Sequence, residues 1–477
     1  MFMRMVYDEK LAQAAYLIGC QRSGEAIVID PERDVDRYIE IARENELRIT
    51  AVAETHIHAD FVSGAREMAE RLGSKVYVSG EGGDDWQSTW ARAYDHVVLR
   101  DGDTFRIGNI EFRAVHTPGH TPEHMVYVVT DHGSGAGVPI GVCTGDFVFV
   151  GDLGRPDLLE TAAGQVGARE PGARQLFASA KWLTSLPEFV QVWPGHGAGS
   201  ACGKALGAVP MSTVGYEARF NAPLRSAIGP DADERRFVDL ILEGQPEPPL
   251  YFARMKRINR DGPPVLGGLA QVRRVGAADV AKLDPQQVAI VDARPWPEFR
   301  DGHIQGAMSF PLQASLPTDV GSMVREDEDV FLVASADDVA EIVRDLSRIG
   351  LDRIRGWLDP EDVALQENLV KVREIEPSEA ASLLEEDGVS VLDVRRATEY
   401  AAGHIEGAQN IAHTRLASRL EELPTTGTLL VHCQAGVRSA RACGYLQRLG
   451  FDVVNLKGGY AAWQEDQARV ARTSADR

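Results

Sequence analysis

The segment VDARPWPEFRDGHIQGA at 291–307 returns as LDVRRATEYAAGHIEGA at 392–408, 101 positions later. SRIGLDRIRG at 347–356 returns as QRLGFDVVNL at 447–456, now 100 positions later. A repeat held over so long a stretch constrains the fold more than any single motif, because each copy must be one self-contained unit. Both copies show the order strand, helix, GHI-x-GA, strand, loop, helix, strand, which predicts a small α/β domain of about 100 residues. We therefore expect one such domain over 271–367 and a second over 372–471, joined near ENLVKVREIEP. The chain has 477 residues, and at roughly 150 residues per domain a third is expected in what remains.

Residues 1–258 alternate short apolar runs with turns. AYLIG, EAIVID, ITAVAET, KVYVSG, HVVLRDGD, IEFRAVHTPG, HMVYVVT and IGVCTGDFVF read as strands bounded by Gly, Asp or Pro. DVDRYIEIARENE and SGAREMAERLG read as amphipathic helices. The pattern predicts a layered α/β domain, and MKRINRDGPPVLGG reads as the linker that follows it. The formal charge is -21, and a surface so acidic repels nucleic acid and anionic membrane. No apolar run approaches the ~18 residues that span a bilayer. The start MFMRMVYDEKLAQAAY has no apolar core of a secretory signal, so cytoplasm is expected. The cysteines Cys20, Cys143, Cys202, Cys433 and Cys443 are odd in number and scattered, which argues for reduced thiols over a disulfide framework.

Four segments of the first domain offer metal ligands. THIHAD supplies His56, His58 and Asp60 after the strand ITAVAE, and VHTPGHTPEH supplies His116, His120 and His124. TGDFVFVGDLGRPDL supplies Asp146, and VWPGHGAG supplies His196. Ligands placed where strands end in Gly-rich turns can meet at one edge of a sandwich. The residue after Asp60 is Phe61, which has no lone pair to offer a second metal. His124 is expected to be structural, and Asp152, Arg155 and Asp157 to form a buried loop-fixing set.

These segments, HxHxD, PGHT, GDxxFxxGxxGRPDL and a late PGH, resemble the metallo-β-lactamase superfamily, its glyoxalase II-like branch above all. Within that branch the chain resembles the persulfide dioxygenases, which oxidise the outer sulfur of a thiol persulfide to sulfite. The resemblance implies an N-terminal αββα sandwich. It also implies a single Fe(II) per chain on His56, His120 and Asp146, with His58, Asp60 and His196 around the ligands and zinc as the alternative metal. Two imidazoles and a carboxylate leave three positions open, the arrangement of non-haem iron oxygenases; hydrolysis would need a metal-bound hydroxide instead. Cys202, six residues beyond His196, reads as a buried small hydrophobe, with an accessory thiol near the metal as the alternative. Cys20 carries a weaker form of the same question.

In LLVHCQAGVRSARACGYL, Cys433 follows an apolar strand and opens a helix. The loop Gln434, Ala435, Gly436 and Val437 is expected to turn its amides inward as an anion cradle, with Arg438 adding charge and Cys433 held as a thiolate. LDVR, GHIEGA, this loop and LKGGYAAW resemble the rhodanese family. The resemblance implies that Cys433 carries sulfane sulfur as a persulfide, that Asp393 and Arg395 organise the loop, and that His404 is structural. A dual-specificity phosphatase has five residues between its Cys and Arg; here four intervene, which suits a persulfide better. In the first copy a gapless alignment places Val333 on Cys433 and Asp338 on Arg438, so that copy is expected to be catalytically dead.

Together the two resemblances imply a persulfide dioxygenase fused to a rhodanese and acting in sulfide detoxification. The partners would be a thiol persulfide, O2 and sulfite or thiosulfate, with no nucleic acid or membrane, in a homo-oligomer. The rivals are a glyoxalase II-like zinc thioester hydrolase and a non-catalytic persulfide sensor or sulfur carrier. No motif names the thiol.

Overall fold

The structure is a computed structural model that describes residues 1–475. It divides into two compact units, one of Met1–Leu269 with Ser347–Gly350 and the other of 270–346 and 351 onward.

The first unit holds two six-stranded sheets. One runs in the order β1 (Phe2–Asp8), β2 (Gln13–Cys20), β3 (Glu25–Ile29), β4 (Arg48–Ala53), β5 (Lys75–Ser79) and β6 (His96–Leu99). The other pairs β7 (Thr104–Ile107), β8 (Ile110–His116), β9 (Met125–Asp131), β10 (Gly141–Gly145), β11 (Gln191–Pro194) and β12 (Ser212–Thr213). Successive side chains of a strand point to opposite faces, and here both faces are covered, so the central strands are apolar throughout. Ile27, Ile29, Ala51 and Ala53 meet Phe112, Ala114, Tyr127 and Trp193 between the sheets. Val28 and Val52 point outward onto α1 (Asp36–Glu44) and α2 (Ala65–Leu72) through Tyr38, Ala42 and Met68. On the far side Val126, Val128, Val142 and Val192 pack beneath Leu176, Ala180, Phe237 and Ile241. The result is the αββα sandwich expected.

Two sequence expectations need correction. IGVCTGDFVF is a strand only to Gly145, where φ reaches +49° and an added Cβ would stand 2.7 Å from Thr55 Cβ. This left-handed bend ends the strand and turns Asp146 out of it. MKRINRD is not linker but the body of the helix Phe252–Asp261. Its Asn259 is buried and donates to the carbonyls of His58 and Phe61, both at 2.8 Å, so the helix is part of the first unit's core. That helix runs on past residue 258, to Asp261.

The second unit holds both copies of the repeat apart from Ser347–Gly350. The first copy is a parallel sheet of Val288–Asp292, Ala307–Ser309, Asp329–Val333 and Ile354–Leu358. The second is a five-stranded parallel sheet in which Val389–Asp393 pairs with Thr428–His432. Register decides how the copies correspond. Asp292 pairs with Val333 in the first, and its counterpart Asp393 pairs with His432 in the second. Val333 therefore matches His432, and it is Ala334, not Val333, that stands at the Cys433 position. From that position to the matched helix residues Ser347 and Gln447 the first copy is one residue shorter, which a gapless alignment from the helix cannot register. No thiol occupies the position in either alignment. Among the described residues no helix is long and apolar enough to cross a membrane.

Candidate functional site

The metal-ligand candidates of the first unit converge at one rim of the sandwich, where β4, β10 and β11 end. His56, His120 and Asp146 are buried, with ligand atoms all within 4.8 Å of one another. His120 Nε2 lies 3.5 Å and His56 Nε2 3.9 Å from Asp146 Oδ2. Burial and the neighbouring imidazoles hold the His56 pKa well below the usual value, and burial first among several causes takes His120 down to about 3. Both rings are neutral and have lone pairs to give. Burial also raises the Asp146 carboxyl to about 6; neither of its oxygens meets a well-aligned donor, and the Cys202 thiol is the weak donor that bears on it. An unmet carboxylate facing neutral imidazoles is costly in a dry interior unless a cation completes it. The residues present fit a divalent metal.

Neighbouring groups aim these ligands. Thr55 donates its hydroxyl to Asp30 Oδ2 at 2.8 Å and lies 2.9 Å from His56 Nδ1. With its proton given to Asp30, the hydroxyl accepts from Nδ1–H, which leaves the His56 Nε2 lone pair for the metal. Asp30 also accepts from Thr55 N at 2.6 Å. Sequence reasoning passed over Asp30; its one signal was its place at the end of EAIVID, and the structure adds that it sits in the left-handed region at φ +51°. His124 accepts from the Asp146 amide at 3.1 Å and fixes the backbone that carries the carboxylate.

His58 turns away from this cluster. Its Nε2 lies 2.8 Å from Glu54 and 3.2 Å from Asp30. Burial alone would lower its pKa, but these two carboxylates outweigh it and hold the ring's pKa well above the ordinary value. Phe61 is fully buried and packs on that ring at 4.3 Å between centroids. His196 stands 3.2 Å from Asp60 and 3.3 Å from Asp146 Oδ1. Cys202 joins Asp60 and His196 in a second buried cluster. Burial, then the Asp60 and Asp146 carboxylates, push its thiol well above the ordinary range. Cys202 is thus both a buried residue and a neighbour of the ligands. Asp152 Oδ2 accepts from Lys204 N and Ala205 N, while Arg155 is clamped on Asp157 and on the Ala201 carbonyl, so both flanks of the Cys202 turn are tied down. Cys20 ends β2 at the rim opposite Gln13, whose side chain donates to the Asp30 carbonyl, and so lies at the other end of the sandwich from the ligands.

A second site lies in the second unit. Cys433 follows the strand Thr428–His432, and the turn Gln434–Gly436 leads into the helix Val437–Arg448. Gly436 N donates to Cys433 Sγ at 3.1 Å, and Ser439 Oγ at 3.6 Å. Ser439 was not singled out from the sequence; its place one turn into the helix was the available signal. Gly436 sits at φ +89°, which turns its amide toward the sulfur. Arg395 makes a buried pair with Asp393, reaches Gln434 Oε1 at 3.2 Å and lies over the Tyr460 ring at 4.2 Å. Arg438 is gripped at both nitrogens by Glu399, at 2.7 and 2.8 Å, so its charge is shared with that carboxylate rather than given wholly to the loop. His404 stacks on Tyr400 at 3.9 Å.

A cavity of about 310 Å³ opens beside this loop, lined by Ala435, Gly436 and Val437 on one side and Trp296, Pro311 and Gln313 on the other. The repeat copy that lacks a cysteine therefore supplies one wall of the space next to the loop that carries one.

Comparison with known proteins places both sites in families. The metallo-beta-lactamase superfamily profile matches residues 9–196, and the rhodanese-like domain profile matches 278–350 and 376–466. The crystal structure of a metallo-beta-lactamase from Staphylococcus aureus subsp. aureus COL is 39% identical, with a TM-score of 0.67, over 75% of this chain and 99% of that one. A probable metallo-hydrolase of Burkholderia pseudomallei is 30% identical over 253 residues, 47% of this chain and 81% of that protein. The mitochondrial persulfide dioxygenase ETHE1 of Bos taurus is 29% identical over 163 residues, 34% of this chain and 58% of that protein. The chain belongs to the metallo-beta-lactamase superfamily, its metallo-beta-lactamase domain followed by rhodanese-like domains.

Proposed function

We propose that the first unit oxidises a low-molecular-weight thiol persulfide with O2 to sulfite, and that the last domain moves sulfane sulfur on Cys433. The observation that carries the reading is the convergence of two neutral imidazoles and one unmet carboxylate, His56, His120 and Asp146, beside a buried Phe61 that gives no further ligand. Iron is the metal that the resemblance to persulfide dioxygenases implies, with zinc as the alternative; bound there, it would bring O2 and the persulfide sulfur together. His56 and His120 are kept neutral to hold it, Thr55 and Asp30 aim the His56 ring, and His124 fixes Asp146. Overall one persulfide, one O2 and one water give one thiol, one sulfite and two protons.

In the last domain Cys433 Sγ attacks the outer sulfur of thiosulfate, the S–S bond breaks and sulfite leaves with the electron pair. The sulfur stays on Cys433 as a persulfide, where Gly436 N and Ser439 Oγ donate to the anionic sulfur. Run in reverse, sulfite from the first unit attacks that persulfide and leaves as thiosulfate. The likeness to the bovine persulfide dioxygenase supports the oxidation of a persulfide by the first unit.

The test is O2 uptake by the chain reconstituted anaerobically with Fe(II) and offered thiol persulfides, with His120→Ala as control. Uptake matched by sulfite or thiosulfate and absent in the variant is expected. No uptake from protein that holds iron would overturn the reading. The likeness to a probable metallo-hydrolase favours thioester hydrolysis as the second reading, and thioester turnover without O2 would establish it.

A further inference from the structure

The cavity beside the Cys433 loop lies wholly within the second unit, and its volume is about 310 Å³. That is space for roughly ten waters at ~30 Å³ each, at the lower end of the ~300–1,000 Å³ of pockets that take small organic molecules. Thiosulfate brings only five heavy atoms and would leave about half of it unfilled. The lining defines what else fits. Trp296 comes from the copy without a cysteine, and its indole N–H donates to Glu374 at 2.8 Å. Its ring stacks on the buried Phe299, with centroids 5.9 Å apart. The ring is thus held in place and its one donor is spent, so what it offers a ligand is apolar surface. Val437, on the copy with the cysteine, is 50% exposed and adds to that surface. Three charged residues line the cavity, and two of them are already met. Both oxygens of Glu374 accept, from Arg300 on one and from Trp296 and Asn455 on the other, while Arg441 is paired with Asp319. Lys457 is exposed and tied only to the exposed Glu376, a surface pair of the kind that a competing anion readily displaces. Gln313 accepts from Arg441 through Oε1, which leaves its NH2 group to donate. The lining therefore supplies a cation and an amide donor, and no carboxylate with a free oxygen. Gly436, whose amide donates to Cys433 Sγ, lines the same cavity, so a molecule seated there adjoins the loop that holds the sulfur.

Building on the sulfur-transfer reading of Cys433, we propose that this cavity seats the organic part of a thiol persulfide, R–S–SH, in which R bears a carboxylate. The copy without a cysteine is then the recognition half of a sulfurtransferase whose nucleophile stands on the other copy. Trp296 and Val437 cover the apolar part of R, and Lys457 and Gln313 meet its carboxylate. Cys433 Sγ attacks the outer sulfur as a thiolate, the S–S bond breaks, and R–S⁻ leaves with the electron pair. One thiolate and one persulfide are consumed, and one persulfide, on Cys433, and one thiolate are formed.

The test follows single-turnover loading of sulfur onto Cys433 in the full chain, read by mass spectrometry against Cys433→Ser and kept anaerobic so that the first unit consumes no persulfide. The donors are thiosulfate, the persulfide of 3-mercaptopropionate and the persulfide of its uncharged analogue 3-mercaptopropanol. We expect Trp296→Ala to slow both persulfides about tenfold and thiosulfate less than twofold. Lys457→Met should slow the acid persulfide about fivefold and leave the alcohol persulfide within twofold, the effect of one exposed charge pair. Its position is exposed, so it carries the test should Trp296→Ala fail to fold. Equal effects on persulfides and thiosulfate in Trp296→Ala, or equal effects on acid and alcohol in Lys457→Met, would overturn the assignment of the cavity, while loading of the parent by thiosulfate would uphold the sulfur-transfer reading. A parent that takes sulfur from none of the three donors would overturn that reading, and the assignment with it.

Discussion

Gly154 provides the sharpest test of how the proposed metal ligands are held. Its backbone is not in the left-handed region, so any effect of a side chain there is steric. A Cβ on residue 154 would overlap the carbonyl oxygen of Asp146 and stand 3.1 Å from its carbonyl carbon and 3.0 Å from His120 Cβ. To reach ordinary contact the oxygen must withdraw by more than about 1 Å. The amide of Gly154 is itself bonded to Phe147 O at 3.2 Å, so the two strands of the turn cannot simply part. Metal sites tolerate ligand shifts of only about 0.2 Å, and a misplacement of about 1 Å costs on the order of a hundredfold in rate. Overpacking of this kind costs about 1–3 kcal/mol, or roughly 2–12 °C in Tm for a domain of this size. We therefore expect Gly154→Ala to bind metal at least a hundredfold more weakly in chelator competition, with a modest fall in Tm. Thiosulfate sulfurtransferase activity at Cys433 should not change. A Gly154→Ala protein with full metal affinity would refute the view that this turn sets the positions of Asp146 and His120.

Other outcomes follow from the same geometry. Asp30→Asn weakens the acceptor that orients Thr55 and, through it, His56, and should lower metal affinity 10–100-fold in the same competition. Gly459 lies at φ +60° with its added Cβ 2.8 Å from the Gln434 carbonyl carbon; Gly459→Ala should abolish sulfurtransferase turnover while metal content holds. Asp319 is buried against Arg441 and His413. Burial opposes ionisation, but His413 and Arg441 outweigh it and depress its pKa below the ordinary 3.8. A carboxyl depressed on folding contributes stability that is fully present above its unfolded value and lost as pH falls through its folded value. Asp319→Asn should thus cost about 3–5 kcal/mol in urea unfolding at pH 7, by stranding Arg441, and the gap to the parent should close below roughly pH 4.

The part of the site legible in sequence is the part that local rules write. A strand ending in a Gly-rich turn marks itself, so THIHAD, PGHT, TGD and PGH could each be found alone, as could the Cys433 loop between its strand and helix. The repeat exposed itself by self-comparison. What stayed hidden depends on register and packing. Asp30 reaches Thr55 only because β3 pairs with β4 in parallel with Ile29 opposite Ala53, a match no period of hydrophobic residues states. The one-residue shift from Val333 to Ala334 appears only when strand partners are known. MKRINRDGPP carries Gly and Pro at its end, and the helix before them is held by tertiary contacts of Asn259 that outweigh local breaking signals. Cys202 looked like packing because its chain neighbours are Ser, Ala and Gly; folding sets it beside Asp60 and His196. Trp296 and Gln313 gained a place at the Cys433 cavity through the packing of two repeats. Sequence by itself determined the order of domains and supplied the candidate donor atoms and the Cys433 thiol, since these are covalent facts and short-range patterns. The tertiary structure decided which donors meet and which are diverted, as His58 is to Glu54. Convergence across a sheet is set by long-range pairing and by the cost of leaving a buried charge unmet.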